Sequence, residues 1–312
     1  MSSYTSSFKG FIVTFLLALT LVLAFFAAAS EWLIRTHVLP NDPSGEKLRL
    51  LDESPVANAA FGDSHMAYAF AGEAGVFLNH AQPGDGLDDI YLKIHRAFAD
   101  KEPGKVIVTA DVHLLSTQRI TQPPKTYLSQ SKGNKAWLQL AVADNWHRQF
   151  IVGYWKEFLT GGDFVPKETL LPTTGWLQNK GFWQKRDAVF KQNWLENRRR
   201  AQSIAKQDST YTLGQQKYES ILEFLSQKGA DICMVVMPLA PDYRRAVESD
   251  MKYADATKFF QDLAQTYQAH YVDLSTVFDN RPDYFADGDH LNMLGAKSFT
   301  VLVRQACFGK GM

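Results

Sequence analysis

Residues 11–29 carry no charged side chain over 19 positions, the longest such stretch of the chain. As a helix rising about 1.5 Å per residue, this run nearly crosses a hydrocarbon core of about 30 Å. Lys9 precedes it, and Glu31 and Arg35 follow. It reads as a retained membrane anchor. The alternative is a cleaved export signal, whose apolar region usually spans about 7–15 residues and ends in small side chains, as Ala27, Ala28 and Ala29 would here. Either way the remainder of the chain is expected outside the cytoplasm.

The rest of the chain follows a different pattern. Residues 31–55 include Pro40, Asn41, Asp42, Pro43, Ser44 and Gly45 and read as a connector. Five short apolar runs follow, at 56–61, 76–79, 105–110, 231–237 and 270–274, each bounded by turn residues as buried parallel strands are. Between them lies helical periodicity: residues 87–99 place apolar side chains at 87, 90, 91, 94, 97 and 98, and 218–225, 259–267 and 293–303 behave similarly. Strand–helix alternation predicts an α/β domain over 56–312, a parallel sheet covered by helices on both faces, with right-handed crossovers. The alternation breaks over about 121–212. This stretch holds six of the seven tryptophans (Trp137, Trp146, Trp155, Trp176, Trp183 and Trp194) and the basic run Arg198-Arg199-Arg200. It is expected to be a largely helical insertion.

Composition narrows the function classes. Lys and Arg total 33 and so do Asp and Glu, so there is no basic field to hold nucleic acid or an anionic membrane by charge alone. Cys233, inside an apolar run, reads as filler of a buried strand, with a single bridge to Cys307 as the alternative. No His, Asp or Glu group has metal-ligand spacing, so neither a metal nor another cofactor is expected.

Candidate chemistry gathers at the strand ends. In open parallel sheets the loops at the carboxyl ends of strands build the site. Ser64 follows the first run, Gly84 the second, Asp111 and His113 the third, and Asp287 and His290 the fifth. A serine hydroxyl is a poor nucleophile until a base takes its proton, and the base needs a partner that fixes its tautomer. His290 suits the base, and Asp287 the partner if the segment makes one turn. Asp289 is a rival, though adjacent side chains tend to point apart. Amides of Ser64 and Gly84, and the His113 ring, could donate to an oxyanion. His65 and Asp111 are candidates for substrate contact, or else for turn capping. Taken alone, Gly62-Asp63-Ser64-His65 also reads as an ordinary capped strand-to-helix turn. His80 and His95 read as structural, the tryptophans as packing, and Arg198 to Arg200 as a solvated face or a docking patch for an anionic polymer.

Phe61-Gly62-Asp63-Ser64 resembles the first block of the SGNH (GDSL-type) hydrolase superfamily. Asp287-Gly288-Asp289-His290 resembles its last block, where Asp and His stand three apart. The likeness covers about residues 56–120 and 225–312. It implies a flavodoxin-like α/β/α sandwich and acyl transfer, through the serine, to water or another acceptor. The second-block glycine maps to Gly84. The third block, Gly-x-Asn-Asp, is missing; Asp111-Val112-His113 stands there, with His113 as the substitute donor. The longer strings Gly62-Asp63-Ser64-His65 and Asp289-His290-Leu291-Asn292 resemble a membrane-anchored branch. Those proteins work beside polytopic O-acyltransferases in O-acetylation of exopolysaccharides such as alginate, or in D-alanylation of teichoic acids. The narrower likeness implies an acyl donor, a polysaccharide acceptor, a polytopic acyltransferase partner, and a single-pass inner-membrane protein with its catalytic domain in the periplasm. The rivals are a secreted carbohydrate or lipid esterase and a non-catalytic assembly factor on the same fold.

Overall fold

All five apolar runs form strands: β1 (Ala59–Phe61), β2 (Leu78–Asn79), β3 (Lys105–Thr109), β6 (Asp231–Val236) and β7 (His270–Asp273). They pair in parallel in the order β2-β1-β3-β6-β7. In the computed structural model the described residues are 3–38, 43–125, 128, 142, 145–161 and 169–309. A two-stranded antiparallel hairpin, β4 (Thr169–Leu171) with β5 (Trp176–Gln178), stands apart from the sheet.

Alternation along the strands sorts the core into two clusters. Ala59, Phe61, Val106, Val108, Ile232 and Met234 face α4 (Leu87–Ala97), α8 (Asp208–Gln227) and α10 (Tyr253–Thr266). Ala60, Ile107, Cys233 and Val235 face α3 (Ser64–Ala69) and α11 (Met293–Phe308). This is the three-layer α/β/α sandwich that the period-2 strands and 3.6-period helices predict. Phe61 is fully buried, and burial of a side chain that size contributes roughly 1.5–3 kcal/mol.

The cysteines correct the filler reading. Cys233 of β6 and Cys307 of α11 are joined by a disulfide, with 5.6 Å between their Cα atoms and 74 residues between them in sequence. Neither position is exposed, so the bridge staples α11 onto the sheet from within the core.

Contacts divide the chain into two compact units, Met1–Gly45 with Gln130–Pro166, and Glu46–Ser129 with Lys167–Met312. The first contains α1 (Ser3–Leu33) and α6 (Asn145–Thr160). Among the described residues one helix, Gly10–Val38, is long and apolar enough to cross a membrane. The second contains the sandwich together with α2 (Pro43–Glu53), α5 (Thr117–Thr121), α7 (Ala188–Gln202), α9 (Pro241–Glu248) and the hairpin. The stretch read as a helical insertion thus also supplies a hairpin, and its Trp137 lies outside the described residues.

Candidate active site

The strand order reverses between β1 and β3: the chain leaves β1 outward to β2, then returns to β3 on the other side. In doubly wound sheets, ligands bind in the crevice at such a reversal, at the carboxyl ends of the strands. Gly62, Asp63 and Ser64 leave β1 there, and a 3-10 turn, Val112–Leu115, leaves β3 there after Asp111. Gly62 is dictated by close approach. A Cβ on it would lie 2.0 Å from Thr109 Oγ1 and 2.9 Å from Met66 Cβ. Asp63 caps α3 by accepting from the His65 amide, which presents Ser64 as the first helical residue.

The third component follows β7. Ala286 N–H donates to the His290 carbonyl at 2.8 Å, closing a tight loop over Asp287, Gly288 and Asp289. Asp287 Oδ1 accepts from the amides of Asp289 and His290, at 3.1 and 2.9 Å. Gly288 is required because a Cβ would sit 2.4 Å from the Trp194 ring. Asn292 caps α11 by accepting from the Leu294 and Gly295 amides, so His290 is held between this loop and a capped helix.

These three loops join Ser64, His290 and Asp287. Ser64 Oγ lies 2.9 Å from His290 Nε2, and His290 Nδ1 lies 2.9 Å from Asp287 Oδ2. Tyr68 sets its ring edge-on to His290 at 4.9 Å. Ser64 and His290 are only 5% and 6% exposed. The hydroxyl can pass its proton to Nε2 while Nδ1–H is held by a carboxylate, the arrangement that makes serine nucleophilic.

Asp289 departs from the expectation that neighbouring side chains diverge. Its Oδ1 is 3.0 Å from His290 Nδ1, near the 2.9 Å of Asp287 Oδ2, but the ring's hydrogen bond goes to Asp287 and Asp289 Oδ1 accepts none among the described residues. The segment makes the expected turn, and it is tight enough to bring both carboxylates to one ring. Asp289 Oδ2 in turn accepts from Arg198 Nε at 2.8 Å and Gln202 Nε2 at 3.1 Å, and lies 3.3 Å from His65 Nε2. Although burial works against its charge, His290, His65 and Arg198 hold the Asp289 carboxyl well below the usual carboxylate range. Burial, aided by the charge of Asp289, raises that of Asp287.

His65, Asp111 and His113 take different places from those expected. His65 and Asp111 are buried and bonded to each other, His65 Nδ1 to Asp111 Oδ2 at 2.7 Å, and both line a small pocket with Tyr243, Tyr253 and Tyr271. Asp111 Oδ1 also accepts from the Met237 amide. Burial opposes a charge on His65, but Asp63, the bond to Asp111 and the nearby carboxylate of Asp289 outweigh it and raise its pKa to about 10. His65 is therefore an imidazolium tying the β1 and β3 loops to the β7 loop. His113 Nε2 is taken up by Asp63, donating to its Oδ2 at 2.7 Å, so that nitrogen is not free for an oxyanion, and burial lowers the pKa of the ring. Asp63, held well below the usual range despite burial, also accepts from Arg119 at 2.9 Å. Gly84 lies in the loop after β2 with φ +80, its carbonyl accepting from Gln122 at 2.7 Å. No hydrogen bond joins it to Ser64 or His290 among the described residues.

Ligand-type atoms do cluster, contrary to the reading from chain spacing. Asp63, His65 and His113 form one buried group and His65, Asp289 and His290 another, each with its atoms within 4.8 Å. The loops of β1, β3 and β7 create these groups, so no local spacing reveals them. Each already holds a guanidinium, Arg119 on Asp63 and Arg198 on Asp289, which offsets the carboxylate charge that a cation would otherwise neutralise.

Arg198 is the residue that sequence reasoning missed. Of the three consecutive arginines it alone reaches the site, with Nη2 3.5 Å from His290 Nε2 and the guanidinium over the Trp194 ring at 5.7 Å. Arg199 and Arg200 line a separate groove of about 390 Å³ with Lys206, Ser203 and Asp250. Helical spacing within α7 carries the signal, since three consecutive residues are fanned by about 100° each and only one faces a given neighbour.

No family model matches the chain, and no curated protein matches it either. Among solved structures it is similar to a lipase/acylhydrolase from Enterococcus faecalis, at 13% identity and a TM-score of 0.37, over 80% of this chain and 94% of that one. It is also similar to a structure described as a platelet activating factor from Streptococcus pneumonia, at 12% identity and a TM-score of 0.43, over 94% of this chain and 99% of that one.

Proposed function

We propose that the chain is a serine-dependent acyl-transfer enzyme, tethered by α1 and acting outside the cytoplasm on exported polysaccharide. The observation that carries the reading is the continuous Ser64–His290–Asp287 hydrogen-bond chain, drawn from the first and last strands of the sheet.

In this reading Ser64 Oγ attacks the acyl carbonyl as its proton passes to His290 Nε2. The tetrahedral intermediate collapses, His290 returns the proton to the departing oxygen, and the acyl group stays on Ser64. A second oxygen nucleophile then gives its proton to His290 and takes the acyl group, regenerating the hydroxyl. Asp287 holds Nδ1–H, and the carboxylates of Asp287 and Asp289 together stabilise the imidazolium formed in each half-reaction. The Ser64 amide, at a helix start and unused by the helix, and the Gly84 amide supply oxyanion donors. Arg198 lies beside the one nitrogen that must meet every departing and attacking oxygen, so it stabilises charge developing there.

Water as the second nucleophile makes the enzyme an esterase; a sugar hydroxyl makes it an O-acyltransferase, with acetyl as the favoured acyl group. The low exposure of Ser64 and His290 supports transfer, since exclusion of water protects an acyl-enzyme from hydrolysis. A polytopic acyltransferase in the same membrane would then supply the acyl group. The test is acetyl release and transfer from a p-nitrophenyl acetate donor, with and without an oligosaccharide acceptor. Ser64→Ala should abolish both; transfer that survives it refutes the reading.

A further inference from the structure

The unit formed by α1 and α6 has a surface that the catalytic reading does not use. Phe11, Leu17, Leu21, Leu23 and Phe25 of α1 are each more than half exposed. Contact with α6 begins just beyond them. The Phe26 and Trp155 rings stack at 6.0 Å, Trp155 Nε1 donates to Ser30 Oγ at 3.0 Å, and Phe158 meets Trp32 at 5.8 Å and His37 at 5.3 Å. α6 therefore docks where the apolar run of α1 gives way to Glu31 and Arg35. From Phe26 to Trp32 the axis advances about 9 Å, comparable with the headgroup layer on one side of a bilayer.

The surface of α6 is sorted to match. At about 100° per residue, Ile151, Tyr154, Trp155 and Phe158 make one half-buried face. Val152 and Leu159, 80% and 76% exposed, flank it on one side together with the exposed Arg148, whose long side chain can reach the headgroup level, and Phe150, 43% exposed, flanks it on the other. Lys156, Glu157 and Thr160 occupy the opposite side and are exposed. Apolar side chains thus continue outward from the α1 contact on both flanks. Trp32, Tyr154 and Trp155 at this level are the aromatic types that bilayer interfaces favour.

We infer that α6 lies in the interfacial layer of the membrane that α1 spans, with lipid covering its Val152 and Leu159 flank. This rests on the reading of α1 as a retained anchor. Continuity with the uncovered face of α1 argues for lipid: whatever solvates Leu23 and Phe25 meets Val152 and Leu159 next. The helix is long enough, at 16 residues, to rest on the surface as amphipathic interfacial helices do.

The test uses the full chain in phosphatidylcholine–phosphatidylglycerol vesicles. Cys233 and Cys307 are disulfide-bonded, so an introduced cysteine is the sole free thiol. Spin labels on Val152→Cys, Leu21→Cys and Met251→Cys report depth through their relative accessibility to oxygen and to a water-soluble nickel chelate; Met251, 97% exposed in the other unit, is the aqueous reference. The inference expects the Leu21 label deep in hydrocarbon and the Val152 label about 5–10 Å into the headgroup–acyl boundary. A deep Leu21 label with a Val152 label as aqueous as that of Met251 overturns the inference and leaves the anchor standing. An aqueous Leu21 label overturns the anchor and the inference with it. Spin–spin broadening at Val152 that disappears on dilution with unlabelled protein assigns the flank to a second copy, and also overturns it.

Discussion

Replacing Cys233 and Cys307 by alanine should destabilise the sandwich heavily. The bridge closes a loop spanning 74 residues, and loop-closure entropy for that length is about 15 cal/mol/K, or roughly 4.5 kcal/mol at 25 °C. Native bridges commonly return somewhat less, so a loss of about 3–4.5 kcal/mol is expected. The loss should show as a lower urea midpoint in detergent-solubilised full-length protein, with Tm down by roughly 5–10 °C. Catalysis should suffer alongside. The bridge fixes α11, and the Asn292 cap at the start of that helix is two residues from His290. Thiol titration of unfolded, unreduced protein exported to an oxidising compartment should find no free cysteine. Two free thiols per chain, or a double-alanine variant within about 1 kcal/mol of the parent, would refute the reasoning.

Asp287→Asn alone should lower esterase kcat by only about 10- to 100-fold, because Asp289 Oδ1, unbonded and 3.0 Å from Nδ1, can take over the ring N–H, whereas the Asp287→Asn, Asp289→Asn double variant should approach the ~10⁴-fold loss typical of an orphaned catalytic histidine. A ~10⁴-fold loss from the single change would show that Asp289 gives no support. Arg198→Met should cut kcat/KM on p-nitrophenyl acetate by about 10- to 100-fold, less than the loss of a main oxyanion donor; an unchanged value contradicts its placement beside the reacting oxygen. His65 should make the fold alkali-sensitive. Its pKa is raised to about 10 in the folded chain against roughly 6.5 unfolded, so its stabilisation is complete below about pH 6.5 and is lost as pH rises through 10. Tm measured from pH 6 to 10 should fall in the parent and flatten in His65→Gln; parallel slopes would refute this.

The sheet was legible because each strand carries its own signal. Short β-branched runs between turn residues placed all five strands, and periodic apolar positions placed α4 and α11. The Ser64, His290 and Asp287 set was legible because its two ends have local patterns, a strand-to-helix turn and a three-residue Asp–His spacing. What surrounds the set was not. The partners of Asp289 come from α7 and from the β1 loop, more than 80 residues away at the nearest, and pairing of buried charges leaves no local trace. His65, Asp111 and His113 looked like site residues because they stand at strand ends. They are buried and each is bonded to a partner within the strand-end loops, His65 to Asp111 and His113 to Asp63, which no local pattern announces. The Cys233–Cys307 bridge was missed for a similar reason: a strand cysteine looks the same in sequence whether its neighbour is a methyl group or a thiol.

The central claim, that Ser64 is a nucleophile driven by His290, is tested most directly by a fluorophosphonate probe followed by intact-mass measurement and peptide mapping. The account predicts one adduct per chain, on Ser64, absent in Ser64→Ala and strongly slowed in His290→Ala. No adduct on the folded parent, or an adduct that persists in Ser64→Ala, would contradict it.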